Sequence, residues 1–205
     1  MYDPGDPTPH AAARSLAPLF PLPNFFLYPG SVVPLHIFEP RYRQMIEDLL
    51  DGDGRLVMGI VPDEHAGELC ASPPVHPVAG LGEIARHEKL PDGRFLIWLF
   101  GLTRVRVQEA ESERLYRRVR YEPLCEVPIA AERRAALRSE LERAVLARCK
   151  DLSELPAELA EPCLIDILLQ KLQLGSSETL QLYSEPDLER RAHGVLLAHA
   201  TRPRE

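Results

Sequence analysis

The residues best suited to chemistry lie in "PDEHAGELCASPPVHP", where His65, Cys70 and His76 stand among Asp63, Glu64 and Glu68. Imidazole and thiolate are ligands that zinc accepts, so a metal centre is the sharpest reading of this loop. The spacing matches no zinc pattern, however, and a solvated, acidic, proline-ended loop has the same composition. The expectation is therefore no resident metal and no cofactor. Nucleophilic catalysis by a cysteine and a histidine is less favoured still. Cys70, Cys125, Cys149 and Cys163 lie far apart without a C-x-x-C pair, so folding alone would have to bring a base to any of them.

Arg104, Arg106, Arg114, Arg117, Arg118 and Arg120 form a second cluster on a predicted hairpin spanning 104–120, with Tyr116 and Tyr121 as possible stacking partners for bases. Glu109, Glu111 and Glu113 fall in the same hairpin and neutralise much of that charge. Cross-strand pairing on the wet face of two strands accounts for the pattern better than phosphate tracking does. Phosphate cradles are also missing: no glycine in the chain is followed by lysine, and neither G-x-G-x-x-G, G-x-S-x-G nor H-E-x-x-H occurs. The expectation is a protein without enzymatic activity.

A third cluster is "YPGSVVPLHIFEPRYRQMIEDLL", residues 28–50. Pro29 and Gly30 read as a turn, and Pro34 suits a strand at a sheet edge or a bulge. His36, between Leu35 and Ile37, reads as a packed, hydrogen-bonded structural residue. Pro40 opens a helix in which Tyr42, Met45, Ile46, Leu49 and Leu50 share one face, and Gly52 stops it. Glu39 sits where an acid complements the helix N-terminus. Arg41 and Arg43 sit where cations are disfavoured, which predicts an acidic partner such as Glu39 or Glu47.

The elements that must position these residues change in texture near residue 128. Before it come short β runs, "APLFPL", "RLVMGIV", "AGLGEIARHEKL", "GRFLIWLFG", "TRVRVQEA" and "LYRRVRYEPL", expected to be consecutive and antiparallel, with "LPDG" as a hairpin turn. After it come "AERRAALRSELERAVLARCK" as an amphipathic helix and "PCLIDILLQKLQLG" as a buried helix ending at Gly175. A short "SSETLQLY" turn follows, then a last helix signalled by a capping box from Ser184 to Asp187. The fold class is α+β, organised as a disordered tail (1–15), a β-rich subdomain (16–127) and a helical subdomain (128–205). Net charge is −7 with a pI near 5.6, which opposes broad binding to nucleic acid or anionic membrane. With no secretory signal and no run long enough to span a bilayer, the reading is a cytoplasmic protein.

"LFPLPNFFLYPGSVVPLHIFEPRYRQMI", then "GLGEIARHEKLPDGRFLIWLFGLTRVRV" and "IDILLQKLQLGSSETLQLYSEPDLERRAHGVL", resemble the N-terminal substrate-recognition (LON) domain of Lon proteases. The wording "PLHIFEPRYR" is similar to stand-alone bacterial LON-domain proteins and to the LON-like region of cereblon. The resemblance implies a PUA-like pseudobarrel followed by a helical bundle, and a role in binding unfolded or tagged polypeptide or a partner protein, with weak homodimerisation. Pro29, Gly30, Pro34, Glu39, Pro40 and Arg41 match the family motif, which is structural and carries no catalytic residue. The ATPase and Ser-Lys protease modules are absent, so neither activity carries over. The binding surface is expected to be an exposed apolar patch or groove between barrel and bundle, an adaptor or regulator in protein quality control being one such use. An RNA-binding module using the barrel and the arginine hairpin is the alternative.

Overall fold

A computed structural model describes residues 15–68, 72–149 and 154–202. The expected tail lies outside these residues except for Ser15, and Cys70 lies outside them as well. Ser15 opens the first strand, β1 (Ser15–Pro23). There follow β2 (Val32–Ile37), α1 (Pro40–Leu50), β3 (Arg55–Val61), β4 (Val78–Lys89), β5 (Phe95–Ala110) and β6 (Arg118–Pro123). Four helices complete the chain: α2 (Ala131–Arg148), α3 (Glu161–Lys171), α4 (Ser176–Ser184) and α5 (Leu188–Thr201).

The strands run β2-β5-β4-β3-β1-β6 across the sheet, and β6 pairs again with β5, so β5, β4, β3, β1 and β6 close into a ring. The expectation of consecutive antiparallel strands is corrected at one seam: β1 runs parallel to β3, Leu19 beside Val57 and Leu22 beside Ile60. A parallel neighbour needs a crossover connection, and the segment carrying β2 and α1 supplies it. The runs "GRFLIWLFG" and "TRVRVQEA" form the single strand β5, which pairs with β2 through Phe95–Phe100 and with β6 through Val105–Ala110. A strand of that length must bend to serve both partners. Its register against β4 shifts between Leu81 and Gly82 and between Ile84 and Arg86.

Gly101 marks the bend. It donates to the Ser31 carbonyl at 2.9 Å and accepts from Gly30 N–H at 2.8 Å, and a Cβ there would run into the Tyr28 carbonyl. Gly93 takes φ +80° in the β4–β5 hairpin turn, where Leu90 accepts from Gly93 and donates to Arg94.

Phe20, Met45, Ile46, Met58, Phe95 and Ile97 bury α1 against one side of the barrel. A second apolar cluster joins Tyr28, Ile60, Val78 and Leu124 of the β half to Leu141, Leu168, Tyr183 and Val195 of the helices, so the bundle packs directly on the barrel. Three helical expectations are corrected. "SSETLQLY" is the helix α4, not a turn, and α3 ends at Lys171, four residues before Gly175, with Gln173 at φ +47° turning the chain. The N-cap of α5 is Asp187, whose Oδ1 accepts from Glu189 and Arg190 N–H at 3.0 Å. Ser184 instead closes α4 by donating to Leu180 O.

Candidate functional site

Two places combine exposure with unspent binding capacity: the outer face and edge of β2, and the seam between barrel and helices. At β2 the bonds of Ser31 and Gly30 to Gly101 set the phase of the antiparallel ladder. Val33, Leu35 and Ile37 therefore exchange backbone bonds with Leu99, Ile97 and Phe95, while Val32, Pro34 and His36 turn theirs away from β5. No strand lies on that side among the described residues, because β2 ends the sheet. Pro34 carries no N–H, so the open edge offers the donors of Val32 and His36 and the carbonyls of all three.

The same alternation sends the side chains of Val32, Pro34 and His36 to the outer face, where they stand opposite Phe100, Trp98 and Leu96. Val32 is 55% exposed and Phe38, just beyond the strand, 60%. The Arg86 guanidinium lies over the Trp98 ring at 4.8 Å, and His36 and Phe38 rings are 6.0 Å apart. His36 is thus an exposed residue of an apolar face, which corrects the expectation that it is packed. Flanking apolar residues did not predict its direction, because strand neighbours point to the opposite side.

At the seam, a groove of about 590 Å³ runs between the β1–β2 connection and the α3–α4 turn, lined by Asn24, Phe26, Tyr28, Leu169, Gln173 and Leu174. Next to Tyr28 sits a buried charge cluster. Arg104 of β5 is 3% exposed; it donates to Asp166 of α3 at 2.5 Å and faces Glu126 at 3.5 Å, with its guanidinium 4.5 Å over the Tyr183 ring. Arg191 of α5, fully buried, donates to the same Glu126. Tyr183 donates to Leu27 O at 2.7 Å. Burial pushes the Asp166 carboxyl above the usual carboxylate range against the pull of Arg104, and pushes the Tyr28 and Tyr183 phenols well above theirs.

This cluster corrects the reading of the arginine hairpin as a uniformly wet face. Arg104 and Val105 are both buried because β5 has barrel interior on one side and helices on the other. Arg117 bonds Pro73 O at 2.7 Å and pairs with Glu109, and Arg114 reaches Asp48 at 3.6 Å; Arg106 and Arg120 are exposed. The signal that could have found the buried cluster is Asp166, an acid set in the middle of the apolar run Leu164, Ile165, Ile167, Leu168 and Leu169.

The motif residues cluster where β2 enters and α1 begins. Gly30 turns at φ +78°, and Pro29 and Gly30 lead into β2. Glu39 is the N-cap of α1 by position, yet its carboxylate pairs with Arg41 at 2.9 Å and makes no cap bond; Pro40 is the first helical residue. In the candidate metal loop, His76 Nδ1 accepts from Val78 N–H at 3.1 Å, and Asp63 accepts from Asn24 and Ser176. Among the described residues no group of three potential ligands gathers, and no helix is long and apolar enough to cross a membrane.

The closed ring with an appended helical bundle has known counterparts, and residues 17–197 match the family described as the ATP-dependent protease La (LON) substrate-binding domain. The chain belongs to that family. A Lon protease of Trichlorobacter lovleyi is 27% identical over 189 residues, covering 86% of this chain and 22% of that protein. Lon protease 2 of Sorangium cellulosum is 33% identical over 127 residues, covering 60% of this chain and 15% of that protein. The chain thus spans under a quarter of these relatives. The N-terminal domain of Mycobacterium avium complex Lon protease superposes with a TM-score of 0.66 at 15% identity, covering 92% of this chain and 100% of that one. A Lon N-terminal domain protein from Xanthomonas campestris gives 0.62 at 23%, covering 92% and 99%. The match is to the substrate-binding domain, and the ATPase and protease parts of the longer relatives are not present in the chain.

Proposed function

We propose that this LON domain recognises extended polypeptide segments at the open edge and outer face of β2. One observation carries the reading: free backbone groups at Val32, Pro34 and His36 lie beside the exposed side chains of Val32, Phe38 and Phe100 and the half-buried Trp98. An unfolded segment has unpaired N–H and C=O groups and exposed apolar side chains, and strand addition on such an edge serves both at once. A folded protein pairs most of these groups internally, so the site favours the unfolded state over any one sequence. That the matched relatives are Lon proteases supports the assignment of the bound segment as a client, and an adaptor role would follow from handing it on.

Phe38→Ser and Val32→Ser test the reading directly, because both side chains are exposed and their loss leaves the core intact. Each replacement is expected to weaken binding of a permanently unfolded polypeptide by about tenfold or more, since burying such a side chain is worth about 1.5–3 kcal/mol. Unchanged affinity in the doubly substituted protein sinks the assignment of the site.

A further inference from the structure

A half-open pocket of about 300 Å³ lies between β1, the start of α1 and the β5–β6 connection. Among the described residues three arginines line it, Arg41, Arg114 and Arg117, and no carboxylate does. A ligand can reach all three, because their side chains are 27%, 54% and 18% exposed. Their acidic partners Glu39, Asp48 and Glu109 stand outside the lining and are wet, so these are surface pairs of small worth. Asp48 faces Arg114 at Nε, and Arg117 spends one donor on Glu109 and one on Pro73 O. A guanidinium carries five N–H donors, so both keep several for a ligand. Burial, then the like charge of Arg41, holds the Arg117 guanidinium below its usual range in spite of Glu109. Arg41 and Arg117 also act together on the Tyr42 phenol in the same wall, and the Arg41 guanidinium stands 4.5 Å from that ring. The wall is thus positive and rich in N–H donors, and its complement is an anion. A carboxylate has two oxygens for three guanidiniums, whereas a terminal phosphate has three and nearly two negative charges. A nucleic-acid backbone offers a single charge per phosphate and is the poorer match. The volume lies at the small end of ligand sites, and Pro21 and Leu115 in the wall give a short organic stem apolar contact.

We propose that this pocket binds a terminal phosphate group, either free phosphate or the phosphate of a small phosphomonoester. None of its lining residues belongs to the β2 face, so either reading can fail without the other. Calorimetric titration of the unaltered protein at fixed ionic strength tests it with two probes, inorganic phosphate and glycerol 3-phosphate. Both bind saturably at one site, and acetate at the same concentrations does not. Tighter binding of the ester identifies an organic phosphate as the source, and equal affinity identifies the free anion. Arg114 is more than half exposed, so Arg114→Gln leaves the fold intact. It weakens binding of both probes by about tenfold, the worth of a hydrogen bond to a charged group. Arg94→Gln removes the same charge at the β4–β5 turn, where Arg94 pairs with Asp92, and leaves the affinity unchanged. Absence of saturable binding by both probes, acetate binding as tightly as phosphate, or equal affinities in Arg94→Gln and Arg114→Gln overturns the proposal.

Discussion

Arg104 holds the barrel to the helices through a charge that water cannot reach. Removing one partner of such a pair strands the other, whereas removing both need not. Asp166→Ala is expected to cost about 3–5 kcal/mol in urea unfolding, and the joint Arg104→Met, Asp166→Leu replacement far less. A cost below about 1 kcal/mol for Asp166→Ala alone would show that the pair is solvated. Tyrosine ionisation gives a second test. Burial and a 2.8 Å hydrogen bond donated to Asp48 push the Tyr116 phenol up to about 12, and Tyr28, Tyr42 and Tyr183 are also raised. A folded-state pKa above the unfolded value of about 10 means the native state holds the proton longer. That stability is complete below about pH 10 and is lost as pH climbs toward 12. Tyr116→Phe should flatten part of this alkaline loss, measured by denaturant unfolding across that window; an identical slope contradicts it.

Elements depend on where a backbone can bend and where it can pair. Gly101→Ala would push a methyl group into the Tyr28 carbonyl, which belongs to backbone and cannot swing aside. Gly30→Ala meets open space and bears only the cost of φ +78°, about 1–2 kcal/mol. The first should therefore destabilise the protein clearly more than the second in thermal unfolding, and the reverse order would refute the bend at Gly101. At β2, Pro34→Thr restores the missing edge donor and should strengthen strand addition, seen as tighter peptide binding or as aggregation on warming. Two copies pairing antiparallel about Pro34 would set each Pro34 carbonyl against a ring nitrogen with no N–H to donate, so the native proline guards against self-pairing. Most of these elements were legible in the sequence. The period of α1, the Pro40 start, the turn at Gly93 and the apolar face of α3 all follow from local chemistry. What was not legible was partner choice. The parallel pairing of β1 with β3, the covered outer side of β5 at Arg104 and the exposed direction of His36 depend on which layers meet, and alternation along one strand is silent on that.

At the scale of the molecule, a closed barrel and a bundle share one apolar cluster, and the polar interruptions of that seam are Arg104, Glu126, Asp166 and Arg191. A groove does lie between barrel and bundle, but the exposed apolar residues Val32, Phe38 and Phe100 lie elsewhere, at β2 and β5. The family could be read from the motif because Pro29, Gly30, Pro34, Glu39, Pro40 and Arg41 shape a turn, an edge and a helix start. The surface could not, since its members are scattered from Val32 to Phe100 and meet only through the β2–β5 register. That register also supplies the reporter: Trp98 is the one tryptophan of the chain and stands on the proposed face. The most direct measurement is a fluorescence titration of the protein with a permanently unfolded, tryptophan-free polypeptide, compared with the same polypeptide folded. Saturable burial of Trp98, seen as a blue shift with the unfolded form alone and lost in Phe38→Ser, is the predicted result. Saturable binding that leaves Trp98 emission unchanged, or no binding to the unfolded form, would contradict recognition at this edge.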